Sequence, residues 1–218
     1  MNNIRIFFTK LDRAKYISHL DMYRLFMRCI IKSNLPVWYT EGFNPHMYMT
    51  FPLPLSLGFE SDRECVDMRL IEDLSLDDVK NRLEGAFPMG IEVLDVAEQK
   101  MDQKEIAFAD YEIKLFLADD VLLKAKESFI EFMKQESIIV LKKTKKKELK
   151  ELDIKPLCSV LSCDMAPDCL KITLRCVTGI STNLNPNLLI DAFMPEDKIR
   201  YTSVKRIRIM NSDLEEFC

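Results

Sequence analysis

Glycine is scarce in this chain of 218 residues, five in all, and there are only two histidines and one tryptophan. With so little glycine and no low-complexity tract, long disordered segments are not expected. No run approaches the ~20 apolar residues that a membrane helix needs. The opening MNNIRIFFTK reads as a strand rather than as a secretion signal. Seven cysteines in such a chain read as free thiols of a reducing compartment, so a cytoplasmic protein without a membrane partner is expected.

Catalytic and cofactor signatures are missing as well. There is no phosphate loop, dinucleotide-binding glycine run, nucleophile elbow or H-E-x-x-H helix. Cys158, Cys163, Cys169 and Cys176 lie five, six and seven residues apart, without the C-x₂-C knuckles of zinc sites. Cys176 shares the inward phase of Leu170, Ile172 and Leu174, as cysteines buried in cores do. Asp77 and Asp78 fall in the first turn of a helix, where the helix dipole accounts for acidic residues. No metal site, no cofactor and no complete catalytic centre is read from these residues. A net charge of −4 argues against a protein that coats nucleic acid without selectivity. Residues 142–150, KKTKKKELK, nevertheless concentrate six lysines against one glutamate.

What is present is ordinary globular material, 48% hydrophobic and 30% charged, in a chain long enough to bury about 70% of its unfolded surface. Ile4, Ile6 and Phe8 alternate with Arg5, Phe7 and Thr9, the pattern of a half-buried strand. Ser18 and Asp21 form a capping box for a helix whose apolar stripe is read as Leu20, Tyr23, Met27, Ile30 and Ile31. That helix stops near Pro36. A short strand at 37–40, a Gly- and Pro-stiffened loop at 41–61, a strand at 65–71, a helix capped by Ser75 and a strand at 91–96 complete a β-α-β-β-α-β order.

The polar residues 98–107 separate this half, residues 1–97, from a second, residues 108–218, that repeats the order. There a strand carries Tyr111, Ile113, Leu115 and Leu117. A helix capped by Asp119 follows, then strands at 138–141, 153–161 and 170–176, with the lysine-rich segment as a hairpin tip. A helix opened by Pro186 and a strand at 200–209 close the half. The expected fold is α+β, two tandem ferredoxin-like halves with mainly antiparallel sheets.

The two histidines are the first candidates for chemistry, because imidazole suits proton transfer, ligation or phosphate contact near neutral pH. His19 follows a helix cap, where bonding the loop over the helix start is an equally simple role. His46 lies in Gly42-Phe43-Asn44-Pro45-His46, a loop with a set backbone that either binds or plugs the end of a sheet. In the second half, Lys171, Thr173 and Arg175 alternate with apolar neighbours, as do Arg200, Arg206 and Arg208, while Lys114 and Phe116 share the outward phase. One open sheet face is therefore expected to carry cations and an aromatic ring beside Lys145, Lys146 and Lys147, the surface that phosphate attraction and base stacking need. A solvated polar sheet face is the plainer reading.

Three spaced motifs then give a resemblance: Arg13-x-x-Tyr16-Ile-Ser18-His19-Leu-Asp21, Glu41-Gly42-Phe43-Asn44-Pro45-His46, and Phe51-x-Leu53-Pro54-Leu-x-Leu-Gly58-x-Glu60-Ser61. Together they resemble the radical-SAM-linked domain of unknown function, which occurs alone or appended to a radical SAM protein. The stretch Leu152-Asp153-Ile154-Lys155-Pro156 is similar to that family's second-half signature, with Lys155 where Arg is common. The resemblance implies an accessory or substrate-presenting partner of a separate radical SAM enzyme. In the family it resembles, the genes often lie near those of ribonuclease E/G-type enzymes and ribosomal proteins, so the resemblance implies a substrate tilted toward RNA. No C-x₃-C-x₂-C run is present to hold a radical-generating cluster. The first expectation is thus a module that is not an enzyme on its own, binding RNA through the basic surface and contacting nucleotide or partner through Arg13, Ser18, His19, Asp21, Gly42, Phe43, Asn44 and His46. The second is a small RNA-processing or RNA-modifying enzyme with His19 and His46 as acid and base. The third is a protein–protein adaptor using the stiffened loop with Met47, Met49 and Phe51.

Overall fold

A computed structural model describes residues 2–143, 149–194 and 196–218. The chain is mixed α+β and divides into two compact units, Met1–Glu105 with Glu215–Cys218, and Ile106–Leu214. Glu215–Cys218, which the linear reading groups with the second half, thus belongs to the first unit. Among the described residues no helix is long and apolar enough to cross a membrane.

The first unit contains β1 (Asn2–Lys10), α1 (His19–Lys32), β2 (Met49–Thr50), β3 (Glu60–Leu70), α2 (Leu76–Leu83) and β4 (Val93–Glu98). Its strands run β4-β1-β3 with β2 on the far side of β3, every neighbour antiparallel. Both helices begin where a serine side chain accepts a backbone N–H three residues on: Ser18 from Asp21 and Ser75 from Asp78. This satisfies a donor that the first helical turn leaves open. The core gathers Ile4, Ile6 and Phe8 of β1, Val66 and Met68 of β3, Val79 and Leu83 of α2, and Met22, Phe26 and Ile30 of α1.

Two expectations are corrected here. The buried stripe of α1 is Met22, Phe26, Cys29 and Ile30, while Leu20 and Ile31 are more than half exposed. An apolar arc wider than one stripe let the sequence pattern be read a third of a turn away. And β1 is not half-buried: Ile4 through Lys10 are all buried. Its second side is covered as well. Arg5 forms a bidentate pair with Asp67 of β3 at 2.6 and 2.8 Å, and its guanidinium lies 3.9 Å from the centre of the Phe217 ring. It also donates to the carbonyls of Cys218 and Met101.

Gly90 holds the loop before β4 at φ +89°, and its backbone lies so close to the turn after β1 that an added Cβ would stand 2.6 Å from the carbonyl oxygen of Leu11. That carbonyl cannot yield easily, because the N–H of the same residue donates to the carbonyl of Gly90. Gly90→Ala is expected to lower unfolding stability by about 1–3 kcal/mol, the scale of a strained left-handed residue, read as a lower urea midpoint at unchanged slope.

The second unit contains β5 (Phe108–Leu117), α3 (Asp119–Leu122), α4 (Ala125–Met133), β6 (Ile139–Lys143), β7 (Leu149–Asp153), β8 (Cys158–Met165), β9 (Leu170–Val177), α5 (Asn187–Phe193) and β10 (Ile199–Met210). Its sheet runs β10-β5-β9-β8, antiparallel throughout, and β6 pairs β7 as a separate hairpin. The helix expected from Asp119 is broken. Ala118, not Asp119, is its N-cap, without a side-chain bond, and Lys124 (φ −109°, ψ 0°) leaves helical geometry before α4 begins. The strand expected over 153–161 is also two strands, interrupted by a 3₁₀ turn at Lys155–Leu157. Pro156 supplies no donor for a continuous ladder.

Buried Tyr111, Ile113, Leu115 and Leu117 of β5 and Leu170, Ile172, Leu174 and Cys176 of β9 form one side of the sheet. α4 and α5 meet through Phe129, Phe132 and Phe193 and bury Phe129, Leu189 and Ile190. The alternate residues of β5 and β9 form the other side.

Candidate functional site

Residue pairing across the second unit's sheet fixes which side chains share that outward side. In the antiparallel ladder, directly opposed residues lie on the same face. Tyr201 opposes Phe116; Ser203 opposes Lys114, which opposes Lys171; Lys205 opposes Glu112, which opposes Thr173; Arg208 opposes Asp110, which opposes Arg175. The rings of Phe116 and Tyr201 are 5.7 Å apart, and Tyr201 is about half exposed. Across the next strand pair Ser162 donates to Thr173 at 2.9 Å.

The basic face is less bare than the alternation suggested. Asp110, with no exposed side-chain surface, accepts from Arg175 at 2.8 and 3.0 Å and from Arg208 at 2.8 Å. Glu112 pairs with Lys171 at 2.7 Å and Lys114 at 3.2 Å. Burial alone would raise the Glu112 carboxyl, but hydrogen bonds from Lys171 and Lys114 outweigh it and hold the group below the usual range. The same bond raises the Lys171 ammonium. Lys114, Lys171, Lys205, Arg175 and Arg208 thus share their face with Asp110 and Glu112 of β5 and with Asp164 of β8, which opposes Lys171, so cations outnumber carboxylates, and Lys114, Lys171, Arg175 and Arg208 are held by ion pairs. Fixed cations lose less side-chain entropy when they meet a phosphate than loose ones do.

Arg206 does not belong to this face. It is 1% exposed and opposes Tyr111 on the covered side. Register shifts at Ile199/Tyr201 and Arg206/Arg208 each insert a residue and invert the alternation of β10. Tyr201 and Lys205 therefore stand where Arg200 and Arg206 were expected. Arg200 instead pairs with Asp119 at 3.1 Å, both well exposed. Lys145, Lys146 and Lys147 lie outside the described residues.

In the first unit the second motif lies in a hairpin tied to α1 through Tyr23, and Phe51 of the third motif stands against His19 at the start of that helix. Residues 37–48 form a small hairpin: Thr40 N–H donates to His46 O, Tyr48 N–H to Trp38 O, and Tyr39 bridges Met47. Its base is clamped by Arg69, whose guanidinium lies about 5 Å from both the Trp38 and Tyr48 rings. Its tip is Glu41–Pro45, with Gly42 at φ +122° and the Phe43 side chain fully exposed.

His46 closes the tip. Its backbone N–H donates to Thr40 Oγ1, and its Nδ1 lies 2.9 Å from Thr40 Oγ1 and 3.2 Å from the carbonyl oxygen of Asn44. A proton on Nδ1 satisfies that carbonyl, which leaves Nε2 as an acceptor at the surface. His19 stands 5.5 Å from the Phe51 ring, edge to face. It lines a crevice of about 20 Å³ with Lys10, Glu64, Phe8, Met22, Phe51, Pro54 and Leu55, space for about one water. Tyr23, one turn along α1, donates to the Met47 carbonyl at 3.0 Å. Among the described residues no hydrogen bond joins the two imidazoles.

Ser18 and Asp21 are engaged by the helix start: Ser18 Oγ donates to Asp21 at 2.7 Å, and that bond lowers the Asp21 carboxyl. Arg13 and Asn44 are exposed. Met47 and Met49 are buried and Phe51 packs on the core, because the hairpin folds back on α1, so the adaptor surface expected from them is interior. Three of the four clustered cysteines, Cys158, Cys169 and Cys176, are buried. Burial pushes the thiols of all four, Cys163 included, upward, which lowers the reactivity of the free thiols. Among the described residues no group of three or more His, Cys, Asp or Glu is placed to hold a metal ion.

A family model described as an uncharacterized protein conserved in bacteria (DUF2344) matches residues 3–186. The chain belongs to that family. No curated protein matches it.

Proposed function

We propose that this DUF2344 protein is an RNA-binding accessory module that presents single-stranded RNA, or a substrate joined to RNA, to a separate radical SAM enzyme. The observation that carries the RNA reading is the Phe116–Tyr201 ring pair on an outward sheet face, continued by rows containing Lys114, Lys171 and Lys205. Aromatic rings stack bases, adjacent cations attract the backbone, and neither demands a fixed sequence. The link to a radical SAM enzyme is supported by the likeness of the three N-terminal motifs to the radical-SAM-linked domain. The ferredoxin-like reading of both halves is supported by their strand orders, β4-β1-β3-β2 and β10-β5-β9-β8. With the β6–β7 hairpin set aside, each places its fourth strand beside the first and its second outside the third. A recognition role for the histidines is favoured over a shared acid–base pair, because His46 is engaged by Thr40 and Asn44 and His19 by Phe51.

The test is fluorescence anisotropy of the full chain with single-stranded and hairpin RNA at several salt concentrations. Binding is expected to weaken steeply with salt, with a log–log slope of about −0.7 for each phosphate contacted on a single strand. Replacing Lys145, Lys146 and Lys147 with Ala is expected to flatten that slope by up to about 2. His46→Ala is expected to leave the slope unchanged and to alter selectivity or coupling to the enzyme. No binding at low salt, or binding indifferent to the triple lysine change, rejects the RNA reading.

A further inference from the structure

The outer side of α1 carries a feature that neither the core nor the RNA surface uses. Leu20, Tyr23, Met27 and Ile31 are spaced by three, four and four residues and so line one helix face. Met22, Phe26, Cys29 and Ile30 bury a neighbouring side of the helix, about a third of a turn away. Leu20 is 58% and Ile31 55% exposed, while Tyr23 and Met27 only partly pack on the core. This second stripe is bordered on its Tyr23 edge by the 37–48 hairpin, which is tied there by the bond from Tyr23 to Met47 and carries exposed Tyr39 and Phe43. On its other edge run Arg24, Arg28 and Lys32, one helical turn apart and all exposed. Among these three cations Asp21 pairs with Arg24, at 3.2 Å with both side chains more than half exposed, a pair of little strength.

We propose that this outer face of α1 is the docking site for an acidic amphipathic helix of a partner protein. The proposal is independent of the RNA reading. A helix laid along the stripe buries its own apolar residues against Leu20, Tyr23, Met27 and Ile31, with Phe43 as an aromatic anchor at the hairpin end, in the helix-in-groove mode. Carboxylates on its flank meet Arg24, Arg28 and Lys32, which gives the complex its orientation and its rate of encounter. The charge row decides the occupant. A second copy of this chain, docked antiparallel through the same face about a two-fold axis, would set the same three cations against themselves. A bilayer surface needs a broad apolar helix face, whereas the exposed stripe here is one residue wide.

The test places a photo-crosslinking phenylalanine analogue at Leu20, at Ile31 or, as an exposed control in the same unit, at Met89 (88% exposed), in the full chain within its own cells. The expected result is one protein adduct from positions 20 and 31, absent from position 89, with the crosslinked peptide acidic and helical in its apolar spacing. Arg24→Glu/Arg28→Glu/Lys32→Glu is expected to cut adduct yield at least about tenfold by turning steering into repulsion. Its thermal melting should barely change, since exposed substitutions alter stability little. Lysines in place of the partner's acidic residues are expected to restore the adduct. Crosslinks to a second copy, to lipid or to RNA overturn the proposal. So does an adduct that survives charge reversal, or yields at positions 20 and 31 no higher than at 89.

Discussion

Asp67→Ala is expected to lower the stability of the protein by about 3–5 kcal/mol, the cost of leaving one member of a buried ion pair alone. Arg5 has no exposed surface and Asp67 almost none. The carboxylate takes two charge-assisted hydrogen bonds from a single guanidinium, a geometry stronger than a point contact. Without it, a cation remains between β1, β3 and the Phe217 ring with only the carbonyls of Cys218 and Met101 to solvate it. Urea unfolding followed by circular dichroism reads the effect as a fall in midpoint. The double variant Arg5→Met/Asp67→Leu is expected to recover part of the loss, because an apolar pair of similar volume removes the stranded charge. Recovery stays incomplete, since Met101 O loses its donor from Arg5 and buried carbonyls without partners cost roughly 1–3 kcal/mol each. A midpoint for Asp67→Ala within error of the parent protein sinks this account of how β1 is covered on both sides.

The second large effect is on binding. Phe116→Ala with Tyr201→Ala is expected to weaken affinity for single-stranded RNA by about 1–3 kcal/mol for each base that loses its ring, several-fold to more than a hundredfold per ring. The salt slope should hardly change, because slope counts phosphate contacts and not stacking. That combination separates the rings from the lysines, whose removal flattens the slope. Tyr201→Phe keeps the ring and is expected to bind nearly as the parent does. Both substitutions lie on the outward side of the sheet, so thermal melting of the double variant controls for folding. Undiminished binding by a folded double variant removes the sheet face from the proposed function.

Much of this architecture was legible residue by residue. The caps at Ser18 and Ser75 are local, a side chain meeting an N–H three residues on, so no distant partner is needed to foresee them. The alternation of β5 and β9 reads correctly because both strands are regular and covered on one side. The same alternation already places Asp110 and Glu112 beside Lys114 and Phe116, and with them the neutralisation of part of the basic face. The break at Pro156 is likewise a local signal, one that the expectation of a single strand over 153–161 passed over. By contrast, nothing near Arg206 announces the bulges that turn it inward and bring Tyr201 and Lys205 outward, because a bulge is a mismatch between two strands and β5 lies some ninety residues away in the chain.

The sequence by itself determined the α+β class, the order of most elements and the helix starts, because these depend on periodicity and on contacts a few residues apart. Only the tertiary structure decided which of α1's two apolar stripes is core, that β1 is buried on both sides and that Arg206 is interior. Those outcomes rest on what arrives from elsewhere in the chain. The hairpin at 37–48 lies along one edge of α1, Asp67 and Phe217 close over Arg5, and β5 sets the register of β10. Burial is a property of the pair of surfaces that meet, and one surface alone does not specify its partner.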